Sequence, residues 1–347
     1  MSAQADLVLK NARVHPLTGS GEVPDGVAIS DGEILRVDSN YELDFLVDVE
    51  TTVIDCEGMV VLPGFIDAHT HLQKIGQYQV HADLRDASGP SEAVELLQAR
   101  AESCSGWVQG YGFDESTWDV KRYLTRDDLD EVSTERPVVA FREDGHTASI
   151  NTVALDELDL PRDDVSREDG RPTGVIVEDA VEVVSRELAP DRAQTRELLT
   201  AARDRAHRLG ITGIHDMVRK SHAPEVYREL DKQGQLNLRV RLNYWSNHLD
   251  AVIETGLQTN HGSDFVEMGG IKSFTDGSFG GRTAKLSEPY ADDPNERGKW
   301  VVSPGELEDL VERADAANLQ VTIHAIGDEA IGVALDALES TDDPETS

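Results

Sequence analysis

Val60-Val61-Leu62-Pro63-Gly64-Phe65-Ile66-Asp67-Ala68-His69-Thr70-His71 is the stretch that decides how this chain is read. Its apolar, β-branched character predicts a buried strand. Two histidines stand two residues apart at its end. Side chains at i and i+2 of an extended chain share a face, so both imidazoles can reach one point. Neutral imidazole suits zinc and similar divalent ions, and parallel α/β folds place their chemistry at strand ends. The pattern favours a metal-ligand pair; two satisfied structural histidines are the alternative that a lone His-x-His leaves open.

Upstream of this stretch the chain reads as a small all-β unit over residues 6–62. Apolar pieces at 7–9, 27–29, 34–37 and 53–54 are punctuated by Asp25-Gly26, Asp31-Gly32 and Glu57-Gly58. Downstream of residue 190, helices and strands alternate. A helix over 193–209 stops at Gly210, and a strand follows over 211–216. Next come a helix over 224–232, a strand over 236–245, a short helix over 249–254 and a strand over 265–275. Ser303-Pro304-Gly305-Glu306 has the form of a capping box with proline in the first turn, opening a helix to about residue 318. A strand at 321–324 and a helix at 328–338 complete the pattern. Such repetition implies an α/β fold with a parallel sheet, most simply a TIM-type barrel. Between 72 and 190 the rhythm is less regular, with strands expected at 107–113 and 138–142, a helix at 91–102 and a charged surface excursion at 156–171. That length implies a subdomain inserted after the first barrel strand.

Composition narrows the partners. The chain has 67 acidic residues against 32 basic ones, of which only eight are lysine, for a net charge of −35. Phosphate binding needs the opposite sign, so nucleic acid is excluded as a partner. One reading of the acid is a solvated surface; the sharper one is a halophilic protein, because molar salt shrinks the Debye length to about 3 Å and screens self-repulsion. A transition equally stable in dilute and molar salt would count against the second. The two cysteines, Cys56 and Cys104, exclude a disulfide framework. No apolar run approaches the roughly 20 residues of a membrane span, and the first residues lack an export signal, so the expectation is a cytoplasmic protein with a small-molecule substrate and no membrane partner. Self-association into a homo-oligomer stays open.

Counted from the His-x-His strand, Lys272 lies in the fourth predicted strand and His324 ends the fifth. Here the chain resembles the amidohydrolase superfamily, in its YtcJ-like branch, which includes N-substituted formamide deformylases. The resemblance covers essentially the whole chain. It rests on Leu62-Pro63-Gly64-Phe65-Ile66-Asp67-Ala68-His69-Thr70-His71, on Asp144-Gly145-His146-Thr147-Ala148 and on Asp169-Gly170-Arg171-Pro172-Thr173-Gly174-Val175. It continues through Gly213-Ile214-His215-Asp216-Met217, Lys272-Ser273-Phe274-Thr275-Asp276-Gly277-Ser278, Arg282-Thr283-Ala284 and His324-Ala325-Ile326-Gly327-Asp328.

The resemblance implies a barrel (residues 63–347) with a β-sandwich to which residues 1–62 contribute the N-terminal part. It implies one or two divalent ions, zinc by preference, held by His69, His71, Lys272 and His324. Lys272 matches a position that is a carbamylated, metal-bridging lysine in several binuclear members. Burial beside cations favours the neutral amine that reacts with carbon dioxide; a structural lysine paired with a carboxylate such as Asp276 is the alternative. His146, His215, Asp216, Asp276 and Arg282 are candidates for orienting ligands or touching substrate. The implied chemistry is hydrolysis of a carbon–nitrogen bond other than a peptide bond, in an amide, formamide or cyclic amide, by metal-activated water.

The chain departs from that pattern in supplying only about five strand-helix units. No sequence corresponds to a sixth-strand histidine or to the eighth-strand aspartate that serves the superfamily as general acid–base, and residues 340–347 read as a solvated tail. Three readings follow: an interrupted hydrolase with little activity in this chain, a non-catalytic remnant, or a barrel completed by a second polypeptide. A mononuclear, deaminase-like enzyme is the closest enzymatic alternative.

Overall fold

The computed structural model describes residues 4–19, 21 and 23–341, so most of the expected solvated tail lies outside the described residues. The chain divides between Phe65 and Ile66 into two compact units. The first holds β1 (Leu7–Lys10), β2 (Arg13–Val14), β3 (Gly26–Ser30), β4 (Glu33–Asp38), β5 (Thr52–Asp55) and β6 (Val60–Val61). Four of them form a sheet in the order β4-β3-β1-β5, while β2 pairs with β6. The β3–β4 hairpin turns through Asp31 and Gly32, with φ of 51° and 80°. That pair of positive angles is the hairpin geometry for which Asp-Gly is suited.

The second unit begins within β7 (Phe65–Thr70), at Ile66. A six-stranded mixed sheet follows, made of β8 (Ala82–Asp83), β9 (Val108–Phe113), β10 (Val138–Arg142), β11 (Thr147–Ile150), β12 (Val165–Glu168) and β13 (Arg171–Val177). Its order is β12-β13-β11-β10-β9-β8. The chain then returns with β14 (Ile211–Val218), β15 (Arg239–Trp245), β16 (Val266–Phe274) and β17 (Gln320–His324). These join β7 in a curled five-stranded sheet of order β17-β16-β15-β14-β7, the sequence order of the strands. The pairs β14–β15, β15–β16 and β16–β17 are parallel. Successive parallel neighbours joined through helices are a half-turn of a β/α barrel.

Alternation along these strands sorts the faces. Ile214, Leu242 and Val240 pack outward with Leu199, Val226 and Tyr227 from the helices Arg192–Arg208 and Ala223–Lys232. Burying each such apolar side chain is worth about 1.5–3 kcal/mol. The opposite face carries Met217, Asn243, Trp245, Lys272, Phe274, Thr322 and His324, as their cross-strand partners and ring contacts show. The helix Pro304–Asp315 opens with a reciprocal capping box between Ser303 and Glu306.

Two expectations change. The run from Val60 to Ile66 is not one buried strand: it is split between β6 and β7, with Leu62, Pro63 and Gly64 outside both. Phe65 and Ile66 are 54% and 67% exposed. Proline before glycine interrupts pairing, and β7 has a single neighbour in the described sheet. The excursion at 156–171 likewise contains the edge strand β12, which pairs only with β13.

Candidate functional site

The C-terminal ends of β7, β14, β16 and β17 converge on one rim of the curled sheet. His69 lies within β7, and His71 follows it immediately, with φ −124° and ψ 81° at the start of the helix Leu72–Val80. Their ring centroids are 5.8 Å apart. His71 is held from below: its Nδ1 lies 3.1 Å from the Met217 carbonyl oxygen in β14. A carbonyl only accepts, so Nδ1 carries the proton and Nε2 is left as the bare, ligand-type nitrogen.

His324 is fixed in the same way. Its Nε2 lies 2.8 Å from the Gly277 carbonyl oxygen, which assigns the proton to Nε2 and leaves Nδ1 bare. Its ring stacks on Phe274 at 4.4 Å, and Phe274 in turn meets Trp245 at 5.0 Å. Burial pushes the His69 imidazole below its usual pKa, with the nearby charges of Lys272, His71 and His324 adding to the shift. Neutral imidazole is the form that binds metal.

Lys272 is 1% exposed. Its ammonium sits 5.3 Å from the Phe274 ring centroid, and burial lowers its pKa. The alternative pairing with Asp276 does not form. Asp276, fully buried, accepts backbone N–H bonds from Lys285 (2.7 Å) and Gly327 (2.8 Å) at Oδ2 and from Ile326 (3.0 Å) at Oδ1. It therefore clamps the segment after His324 to the loop after β16. The approach is so close that a Cβ on Gly327 would stand 1.8 Å from the Lys285 carbonyl oxygen.

Asp216 and His215 lie next to each other in β14 and so face opposite ways. Asp216 turns outward into the packing layer, where Oδ1 accepts from the Leu72 N–H (2.9 Å) and Oδ2 from the Tyr227 hydroxyl (2.7 Å). Burial raises the Asp216 carboxyl above its usual pKa and pushes the Tyr227 hydroxyl well up. Asp216 thus anchors the chain one residue beyond His71, and Tyr227 is a supporting residue that the sequence did not single out. His215 faces the inner side, where burial and then Arg241 lower its pKa and Asp67 opposes them. Asp67 also acts on His69 and was missed, although the same period of two that joins His69 to His71 reaches back to it.

Among the described residues, no contact brings His146 or Arg282 to this rim. The His146 side chain is 73% exposed and its Nδ1 lies 3.3 Å from Glu178. Arg282 pairs with Asp292 at 2.7 Å on the exposed loop after β16.

The donor set suits a divalent ion in its chemistry. Two imidazoles present bare nitrogens fixed by backbone carbonyls, a third is held neutral, and a buried lysine has no carboxylate partner among the described residues. Among the described residues no three His, Cys, Asp or Glu side chains close around one point, so the histidines offer a pair and its neighbours, not a finished cage.

Comparison with known proteins identifies the family of the chain. The amidohydrolase family model matches residues 52–346. The chain is 30% identical to the putative amidohydrolase YtcJ of Bacillus subtilis over 91% of its length, and 26% identical to the N-substituted formamide deformylase of Arthrobacter pascens over 98%. It spans 61% and 67% of those two proteins. A solved structure of an uncharacterized metal-dependent hydrolase from Pyrococcus furiosus superposes with a TM-score of 0.81 at 29% identity, covering 96% of this chain and 70% of that one. The chain belongs to the amidohydrolase family, in its YtcJ-like branch.

Proposed function

We propose that this chain carries the metal-binding rim of a hydrolase acting on carbon–nitrogen bonds other than peptide bonds, in amides, formamides or cyclic amides. The observation that carries the reading is the paired fixation of His71 and His324, each with one ring nitrogen donated to a backbone carbonyl and the other left bare. Structural histidines have no need of a free, aligned nitrogen; ligands do.

His69, His71 and His324 would hold a divalent ion, zinc by preference, with Lys272 as the group that would bridge to a second ion once carbamylated. When bound, the ion supplies a Lewis acid and lowers the pKa of a water toward neutrality. The chain's own contribution is orientation. The Met217 and Gly277 carbonyls hold protons at His71 Nδ1 and His324 Nε2, and Asp216 and Asp276 fix the backbone beside each ring. Trp245 and Phe274 supply an apolar floor that limits water around the reacting amide. In the reaction, water gives its oxygen to the acyl carbon and a proton to the departing nitrogen.

The test is turnover of a panel of N-substituted formamides, N-acyl amines and cyclic amides, read as amine release, with zinc, manganese or cobalt added. The reading predicts that hydrolysis by this chain is weak at most, is abolished by a chelator and is removed by His69→Ala. Turnover that survives the chelator or His69→Ala goes against it.

A further inference from the structure

A recess of about 340 Å³ opens beside His71, between the first turns of the helix Leu72–Val80 and the segment after β14. Its charge is opposite to that of the chain. Overall, acidic residues outnumber basic ones 67 to 32, yet the recess is lined by Lys74, Arg219 and Lys220 against one carboxylate, Asp216. Both Asp216 oxygens are already engaged, by the Leu72 N–H and the Tyr227 hydroxyl.

The cations are not engaged in that way. All three are exposed. Arg219 lies with its guanidinium 5.0 Å from the Trp245 ring centroid. A stacked guanidinium keeps its in-plane N–H groups available for an oxyanion. Among the described residues, neither Lys74 nor Lys220 has a carboxylate within ion-pair distance; Lys121, Lys232 and Lys299 are unpaired as well, so what sets this place apart is that the unpaired cations line one recess. The walls are also tied together, since the Ser221 hydroxyl donates to Gln73 Oε1 across the recess. In a strongly acidic protein, three cations without a carboxylate partner among the described residues, gathered around one cavity, favour an anion there.

We infer that this recess is a subsite for an oxyanion carried by the substrate, so that the amide hydrolysed at the His69–His71 rim bears a carboxylate or comparable acid group a few bonds from its carbon–nitrogen bond. The inference rests on the proposed hydrolase reading for the location of that bond. Arg219 and the two lysines are then specificity-determining residues, and a neutral amide of the same shape is disfavoured.

The test is calorimetric binding of three probes to the purified protein: N-formylglycinate, N-formylaminomethylphosphonate and the neutral N-formylglycinamide. The expected result is a Kd about tenfold lower for at least one charged probe than for the neutral one, and the two anions show whether carboxylate or phosphonate is preferred. The discrimination falls to within about twofold in Lys74→Gln/Lys220→Gln and in Arg219→Gln. It persists in Lys121→Gln/Lys299→Gln, which removes two exposed charges elsewhere. Equal affinities for all three probes, no measurable binding, or equal loss in the control pair would overturn the inference. The His69→Ala variant keeps the two readings apart. Retained discrimination with unchanged zinc binding removes the metal assignment and leaves the subsite, while lost discrimination in the Lys74, Lys220 and Arg219 variants with intact zinc binding leaves both standing.

Discussion

Replacing Asp276 by asparagine perturbs one atom of the most heavily bonded carboxylate near the rim. Asp276 is fully buried and receives three backbone N–H bonds, from Lys285, Ile326 and Gly327, at 2.7 to 3.0 Å. The amide keeps one accepting oxygen. If that oxygen stays opposite Lys285 and Gly327, the new NH₂ faces the Ile326 N–H, donor against donor. One charge-assisted bond is lost, worth about 1.5–3 kcal/mol, and the two survivors weaken because the acceptor is now neutral. We expect Asp276→Asn to lower unfolding free energy by about 2–4 kcal/mol in urea, read as a shift in midpoint at unchanged slope. The segment after His324 then loses its clamp, so zinc affinity should fall in the same variant. A stability change under about 0.5 kcal/mol would refute the view that this carboxylate organises the rim.

Three further outcomes follow from single contacts. Tyr227→Phe deletes the hydroxyl that donates to buried Asp216 Oδ2 and should cost about 1–3 kcal/mol by urea titration; a neutral change would mean that Asp216 finds another donor. Gly327→Ala should destabilise by more than about 2 kcal/mol, because its Cβ would meet the Lys285 carbonyl at 1.8 Å, while Gly332→Ala, with nothing within 4 Å in the helix Asp328–Glu339, should stabilise by about 0.5–1 kcal/mol in the same assay. His81, which burial and then Arg100 push down to about 4, is neutral in the folded protein where the unfolded chain is protonated. Its contribution is therefore present above the unfolded value near 6.5 and is lost as pH falls toward about 4, at up to about 1.4 kcal/mol per pH unit; His81→Phe should flatten that limb, and an unchanged pH profile would exclude it.

Much of the half-barrel was legible because its signals are local. Ser303 and Glu306 form the expected reciprocal cap, Gly210 follows the helix Arg192–Arg208 at φ 75°, and strand order equals sequence order in the parallel sheet. The rest depended on register and on which face is inside. His215 and Asp216 looked equivalent at a strand end; the bonds from the Leu72 N–H and the Tyr227 hydroxyl show that Asp216 belongs to the packing layer. The stack of Trp245, Phe274 and His324 joins three strands and leaves no trace in any one of them. The strand β12, reading Val-Ser-Arg-Glu, is exposed after its first residue and paired on one side, so it lacked the apolar alternation that announces a strand. The resemblance carried residue types to the rim, but His146 and Arg282 show its limit, since their side chains meet Glu178 and Asp292.

Zinc binding to the purified protein tests the proposed role of His69 and His71 as metal ligands. Equilibrium dialysis with elemental analysis should show zinc retained by the wild-type chain and affinity lowered at least about 100-fold in His69→Ala/His71→Ala, with the fold intact by circular dichroism. Equal zinc content and affinity in the wild type and the double variant would contradict the account.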